Sequence, residues 1–129
     1  MPLVKIETRK SWSSSQKWDI MEAIHSAMRE ALKIAENDRD IRFHEYHPED
    51  FQVTPDKTEN YILVEISMFT GRSLQAKKEL YQSIVANLDK LGILASDVFI
   101  VLHEVPLENW GIRGGIPASE IDLGFKVGV

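Results

Sequence analysis

The 129-residue sequence contains no cysteine. That absence excludes disulfides, zinc–thiolate sites and thiol nucleophiles, and suits a reducing cytoplasm. Long apolar runs are also missing: no stretch approaches the roughly 20 residues of a membrane span, and no secretory h-region follows the start. The expectation is a soluble, cytoplasmic chain without a membrane partner. Clustered basic charge is absent too. Fifteen Lys and Arg are scattered among twenty Asp and Glu, for a net charge of -5, which argues against nucleic acid as the main partner. There is no phosphate loop, nucleotide fingerprint or Ser-His-Asp pattern. His44 and His47, three residues apart on an expected strand, point to opposite faces and make no chelating pair. Neither a metal nor an organic cofactor is expected.

What is present is enough apolar residue for a core, 43%, in a length that suits one domain over residues 1–129. The chain opens Met1-Pro2, followed by the alternating run Leu3-Val4-Lys5-Ile6. An initiator Met before so small a residue is normally trimmed, leaving Pro2 as a secondary amine. An α-amino group titrates near pH ~8, and apolar burial lowers that value. Lowered, it is a general base near neutrality; held up by carboxylates, it is a fixed cation.

Residues 2–8 read as a strand. Ser13 and Gln16 have capping-box spacing, and Ile20, Ile24, Ala27, Met28, Ala31, Leu32 and Ala35 then repeat as one buried helical face. His25 falls outside that set and reads as solvated; Trp12 and Trp18 read as packing at the helix start. Glu36-Asn37-Asp38 breaks the helix. Ile41 and Phe43, alternating with Arg42, His44 and Tyr46, make a second strand, and residues 47–60 a solvated acidic loop. Tyr61 to Phe69 is the strongest strand. Gly71-Arg72-Ser73 turns into a second helix with Leu80, Tyr81, Ile84, Val85, Leu88 and Leu91 buried and Gly92 at its end. Asp97 to Val105 is a fourth strand, and Ile121 to Val127 a short final one.

The order strand, turn, helix, strand therefore occurs twice, over 2–51 and 61–110. Ser14 and Gln16 recur as Ser73 and Gln75, and Ala27 as Ala86, each 59 residues on. Two β-α-β units with parallel strands most simply share a four-stranded mixed sheet with both helices on one face, an α/β (α+β) fold. The uncovered face, assigned Leu3, Leu63, Ile100 and Leu102 or their strand neighbours on the opposite register, with Tyr46 and Tyr61 adding aromatic area, is then partly apolar and calls for a symmetric oligomer.

This topology carries four stretches to one sheet rim: Pro2; Asp38, Arg39 and Arg42; Gly71-Arg72-Ser73; and Trp110 with Arg113. The second helix starts there, and its free amides and dipole with Arg72 suit an anion; an arginine fork suits a carboxylate.

With these residues and the repeat in that order, the sequence resembles the tautomerase superfamily, the N-terminal-proline group that includes 4-oxalocrotonate tautomerase and macrophage migration inhibitory factor. It looks most like the long-chain branch around malonate semialdehyde decarboxylase. The resemblance implies a homotrimer, Pro2 as proton carrier, Arg72 as carboxylate anchor, Asp38 keeping the proline cationic and positioning water, and Trp110 walling the pocket. Where the decarboxylase has two arginines two residues apart, this chain has Thr70 and Arg72, so a second anchor is sought at Arg39, Arg42 or Arg113. The activity so implied is tautomerase (isomerase) chemistry, a keto–enol proton transfer on a small keto or enol acid. Decarboxylation of a β-keto or semialdehyde acid, and a non-catalytic trimeric interaction protein with Met1 retained, are the alternatives.

Overall fold

The computed structural model describes residues 2–124 and 128. Ser13 opens the first helix as expected: its side chain accepts from the Gln16 amide at 3.2 Å, and the Gln16 side chain accepts from the Ser13 amide at 2.9 Å. The capping box satisfies two donors that a helix start otherwise leaves unpaired, and α1 runs Ser14–Leu32. Lys33 adopts the left-handed conformation (φ 58°) and bonds back to Arg29. This ends α1 early, so Ala35 is exposed and leaves the buried face to which the sequence pattern assigned it.

The second helix, α2 (Leu74–Asp89), is capped by the Ser73 side chain, which accepts from Ala76 at 3.1 Å. At its other end Ile93 N–H bonds Leu88 O at 3.1 Å and Gly92 N–H bonds Asp89 O at 2.9 Å. That bond pair is the Schellman turn, which needs the positive φ that Gly92 supplies (84°). Leu91 falls past the turn and is exposed, while Tyr81 and Val85 are only half-buried.

Strands β1 (Leu3–Thr8), β2 (Ile41–Glu45), β3 (Ile62–Phe69) and β4 (Val98–Val105) form one mixed sheet in the order β2-β1-β3-β4. β1 pairs parallel with β2 and antiparallel with β3, and β3 pairs parallel with β4. These are the two β-α-β units sharing a sheet. Val4, Ile6, Ile62, Val64, Ile66 and Met68 point to the helices, and meet Ile20, Ile24, Ala27, Met28, Ala31 and Leu32 from α1 and Leu80, Ile84 and Leu88 from α2.

On the opposite sheet face Leu3 and Leu63 lie as first assigned, whereas β4 takes the other of the two registers. Ile100 and Leu102 pack into the helix-side core, because the register pairs them with Val64 and Ile66. The open face instead carries Leu3, Lys5 and Glu7 from β1, Arg42 and His44 from β2, Leu63, Glu65 and Ser67 from β3, and Phe99, Val101 and His103 from β4. Its centre is charged: Lys5 lies 3.8 Å from both Glu7 and Glu65, and His103 Nε2 is 3.0 Å from Glu65. Tyr46 adds a hydroxyl, which donates to Glu7; Tyr61 is buried.

Three further readings are corrected. The 47–60 loop is pinned rather than merely solvated: Asp97, fully buried, accepts from the Thr58 amide at 2.8 Å and from its hydroxyl, and Phe51 stacks edge-on between Tyr46 and Tyr61. Trp12 is buried, but Trp18 is 59% exposed, with the Arg39 guanidinium 5.8 Å from its ring centre. Residues 121–124 form no strand, and the rest of that expected strand, 125–127, lies outside the described residues. After β4 the chain makes a small hairpin, β5 (Gly111–Ile112) with β6 (Ile116–Pro117). Among the described residues no helix is long and apolar enough to cross a membrane.

Candidate active site

Pro2 is buried at the start of β1. On one side, the Val4 amide donates to Asp40 O at 2.9 Å, which holds β1 to the chain entering β2. On the other, Leu3 pairs with Ser67, so the end of β3 and the turn beyond it lie at the same rim. The antiparallel β1–β3 pairing thus delivers Arg72 to the end of the sheet where Pro2 begins.

Arg72 does not project into solvent. It is 92% buried, being 8% exposed, and its Nη1 donates to Leu32 O at 2.8 Å, one of the carbonyls that the end of α1 leaves unpaired. Burial pushes its pKa down, and the nearby Asp38 carboxylate opposes that shift. Its Nε is buried with no hydrogen-bond partner among the described residues. A buried guanidinium donor without an acceptor costs free energy that an anion would recover. The amide of Ala76, by contrast, is already taken by Ser73, so Arg72 rather than that helix-start amide is the unsatisfied donor.

Trp110 approaches the rim from the other sheet face. It is 9% exposed and packs with Phe69 and Ala118, against which Leu3, Val105 and Leu123 also lie. Its ring meets Phe69 edge-on at 4.9 Å, and Nε1 donates to Val105 O at 3.0 Å. The Trp110 ring is thereby fixed one residue from Pro2, through Leu3. The backbone of Gly128 also returns to this end, near the Gly71 carbonyl.

Pro2, Asp38, Arg72 and Trp110 therefore gather at one rim. The three candidates for a second anchor lie elsewhere or are engaged. Arg39 is paired with Glu22 at 2.8 Å and Glu36 at 3.0 Å, and its hydrogen bond to Glu22 raises its pKa. Arg42 sits on the open face beside Lys5, around a hollow of about 110 Å³ lined also by Leu3, Glu65, Ser67 and His103. Arg113 is exposed in the β5–β6 turn with φ 50°, and its Nη1 reaches Asp122 O only at 3.5 Å.

Sequence reasoning missed His25, which is fully buried, not solvated. Its spacing from Met28 and Leu32, three and seven residues on, is that of the buried face, and this was the available signal. The Leu32–Arg72 contact left no sequence signal, since a backbone carbonyl is present at every position.

A tautomerase-enzyme family model matches residues 38–113, and a second one matches residues 2–60. The probable tautomerase YusQ of Bacillus subtilis (strain 168) is 28% identical over 121 residues, covering 89% of this chain and 95% of that protein. The crystal structure of FG41 malonate semialdehyde decarboxylase inhibited by 3-bromopropiolate superposes with TM-score 0.81 at 24% identity, over 89% of this chain and 92% of that one. A fused 4-OT, a wild-type symmetric trimer, superposes with TM-score 0.80 at 20% identity, over 91% and 96%. With one family model covering more than half of its length, and the fold agreeing throughout, the chain belongs to the tautomerase enzyme family.

Proposed function

We propose that this protein catalyses keto–enol proton transfer on a small carboxylate-bearing keto or enol acid, with Pro2 as the general base and without metal or organic cofactor. The observation that carries the reading is Arg72, a buried arginine whose Nε has no hydrogen-bond partner among the described residues, at the rim where Pro2 is buried. With Nη1 held by Leu32 O, the guanidinium is fixed in place, and its Nε edge is the part left to grip a substrate carboxylate. Burial disfavours the Pro2 cation, so the neutral amine can take the proton from the carbon α to the carbonyl and return it to the enolate oxygen, or in ketonisation carry it from the enol hydroxyl to that carbon. The cation of Arg72 stabilises the negative charge that develops between those steps. Trp110 supplies an apolar wall that excludes water.

The active assembly in this reading is a homotrimer joined through the open sheet faces, with three sites near the subunit boundaries. The trimeric relative named above supports it, as does Phe99, 53% exposed on that face.

Asp38 favours a second reaction. A carboxylate close enough to oppose the burial-driven fall of the Arg72 pKa would also help to hold Pro2 cationic, and a cationic proline would polarise a β-keto or semialdehyde carbonyl while carbon dioxide leaves. The test is kinetic. Untagged protein whose intact mass shows loss of Met1 is assayed beside Pro2→Ala for ketonisation of enol-pyruvate-type acids and for carbon dioxide release. Proton transfer predicts ketonisation abolished by Pro2→Ala. Undiminished ketonisation in Pro2→Ala overturns Pro2 as the base, and a protein that retains Met1 and is inert overturns the reading in favour of the non-catalytic scaffold role.

A further inference from the structure

The one buried ionisable side chain of α1 sits under the loop that builds the Pro2 rim. His25 has zero exposure, and its Nε2 lies 2.9 Å from Glu36 O. A carbonyl can only accept, so Nε2 carries a hydrogen and donates, and Nδ1 is the remaining ring nitrogen. That Nδ1 is buried with no partner among the described residues. A leucine or methionine would fill this place in the helix without an unsatisfied nitrogen, so packing alone gives no reason for histidine here. The bond to Glu36 O does.

What that bond holds is the span Glu36 to Asp40. Its far end is fixed where Asp40 O accepts from Val4, two residues from Pro2, and between the two ends lies Asp38, whose carboxylate acts on Arg72. The other ties of Glu36 are its ion pairs with Arg29 and Arg39, and the Glu36 side chain is 59% exposed. Exposed pairs of this kind contribute little. Within the span the Asp38 amide donates to Ala35 O at 3.1 Å and Arg39 pairs with Glu22 at 2.8 Å; the tie to the fully buried face of α1 is His25.

We infer that His25 is a positioning residue: through Nε2–H to Glu36 O it sets Asp38 against Arg72, and so sets the charge balance at Pro2. This rests on the proton-transfer reading only where it concerns rate. For Pro2 it stands on the two hydrogen bonds, His25 to Glu36 O and Val4 to Asp40 O, that fix the ends of this span.

The test compares His25→Gln, which keeps an amide donor of similar reach, with His25→Leu, which keeps apolar volume and removes the donor. His25→Asn, whose amide is too short to reach Glu36 O, substitutes for the leucine variant if that one does not fold. Each protein, free of Met1, is read by NMR titration of its labelled Pro2 nitrogen and by kcat and KM for ketonisation. In His25→Leu the Pro2 midpoint should move by about half a pH unit or more, and kcat should fall about tenfold or more through misplacement of the site, with melting temperature close to native. His25→Gln should restore both. An unmoved midpoint in His25→Leu and His25→Asn, or equal shifts in the glutamine and leucine variants, overturns the inference. If the native protein proves inert while the midpoint still moves in His25→Leu, the reaction fails and the positioning role stands.

Discussion

Arg72→Ala should damage two things that can be measured apart. The first is stability. Arg72 Nη1 donates to Leu32 O at 2.8 Å in a site where the side chain is 8% exposed; a hydrogen bond from a charged donor is worth about 1.5–3 kcal/mol. Its loss also leaves the last turn of α1 with an unpaired carbonyl and Asp38 without its neighbouring cation. Urea unfolding should therefore show a loss of about 2–3 kcal/mol. The second is catalysis. If the Nε edge binds the substrate carboxylate, truncation leaves that charge unpaired in a desolvated site, at a cost of about 2–5 kcal/mol, or roughly thirty- to several-thousand-fold in kcat/KM. Steady-state kinetics are taken where the variant is folded, so that the two losses do not mix. Arg72→Lys keeps the charge but not the fork and should recover only part of each. A substrate with its carboxylate replaced by a neutral group should be poor with the native enzyme and lose little more with Arg72→Ala. Equal losses for charged and neutral substrates would refute the anchoring argument and leave Arg72 as a clamp on α1 alone; unchanged stability would refute the clamp.

Other expectations follow from the same structure. Asp97→Ala removes a fully buried acceptor of two Thr58 donors and should cost about 2–3 kcal/mol in urea unfolding, whereas Ser13→Ala, which removes the α1 cap, should cost about 1 kcal/mol. Leu88→Ala, in the core between α2 and the sheet, should cost about 2–5 kcal/mol. The hydrogen bond from His103 holds the Glu65 carboxyl below its usual range, with burial opposing and Lys5 assisting. A depressed carboxyl pKa gives stability that is present above the unfolded value of about 4.3 and lost as pH falls through the lower folded value. Native protein and Glu65→Gln should thus differ in melting temperature at pH 7 and draw together as the pH falls below the unfolded value of about 4.3 and through the lower folded value; a difference that does not shrink in acid would contradict this.

Much of the fold was legible because its signals are local. The capping box at Ser13 and Gln16, the glycine at position 92 and the repeated helical stripes each specify an element without reference to distant residues. The β4 register was not local. Phe99, Val101 and His103 alternate with Ile100 and Leu102, and either set could face the helices by period alone; pairing with β3 decides it. The site divides in the same way. Topology brings Pro2, Asp38, Arg72 and Trp110 to one rim, and that much was readable from strand order. The direction of each side chain was not. Arg72 turns inward because α1 ends at Leu32, and that end is set by the left-handed Lys33, a conformation that no residue type at that position announces. Arg39 was lost as an anchor to Glu22 and Glu36, carboxylates whose proximity depends on how α1 meets the following loop.

Whether Pro2 is a base at the working pH is read from titration of its labelled nitrogen in Met1-free protein. The midpoint expected lies below the ordinary α-amine value of about 8, lowered by burial and by the Arg72 cation, with the same midpoint in the rising limb of kcat/KM against pH. A midpoint above that value would mean that Asp38 holds the proline cationic and would contradict the proton-abstraction mechanism; a pH–rate profile indifferent to the measured midpoint would contradict any role for Pro2 as the base.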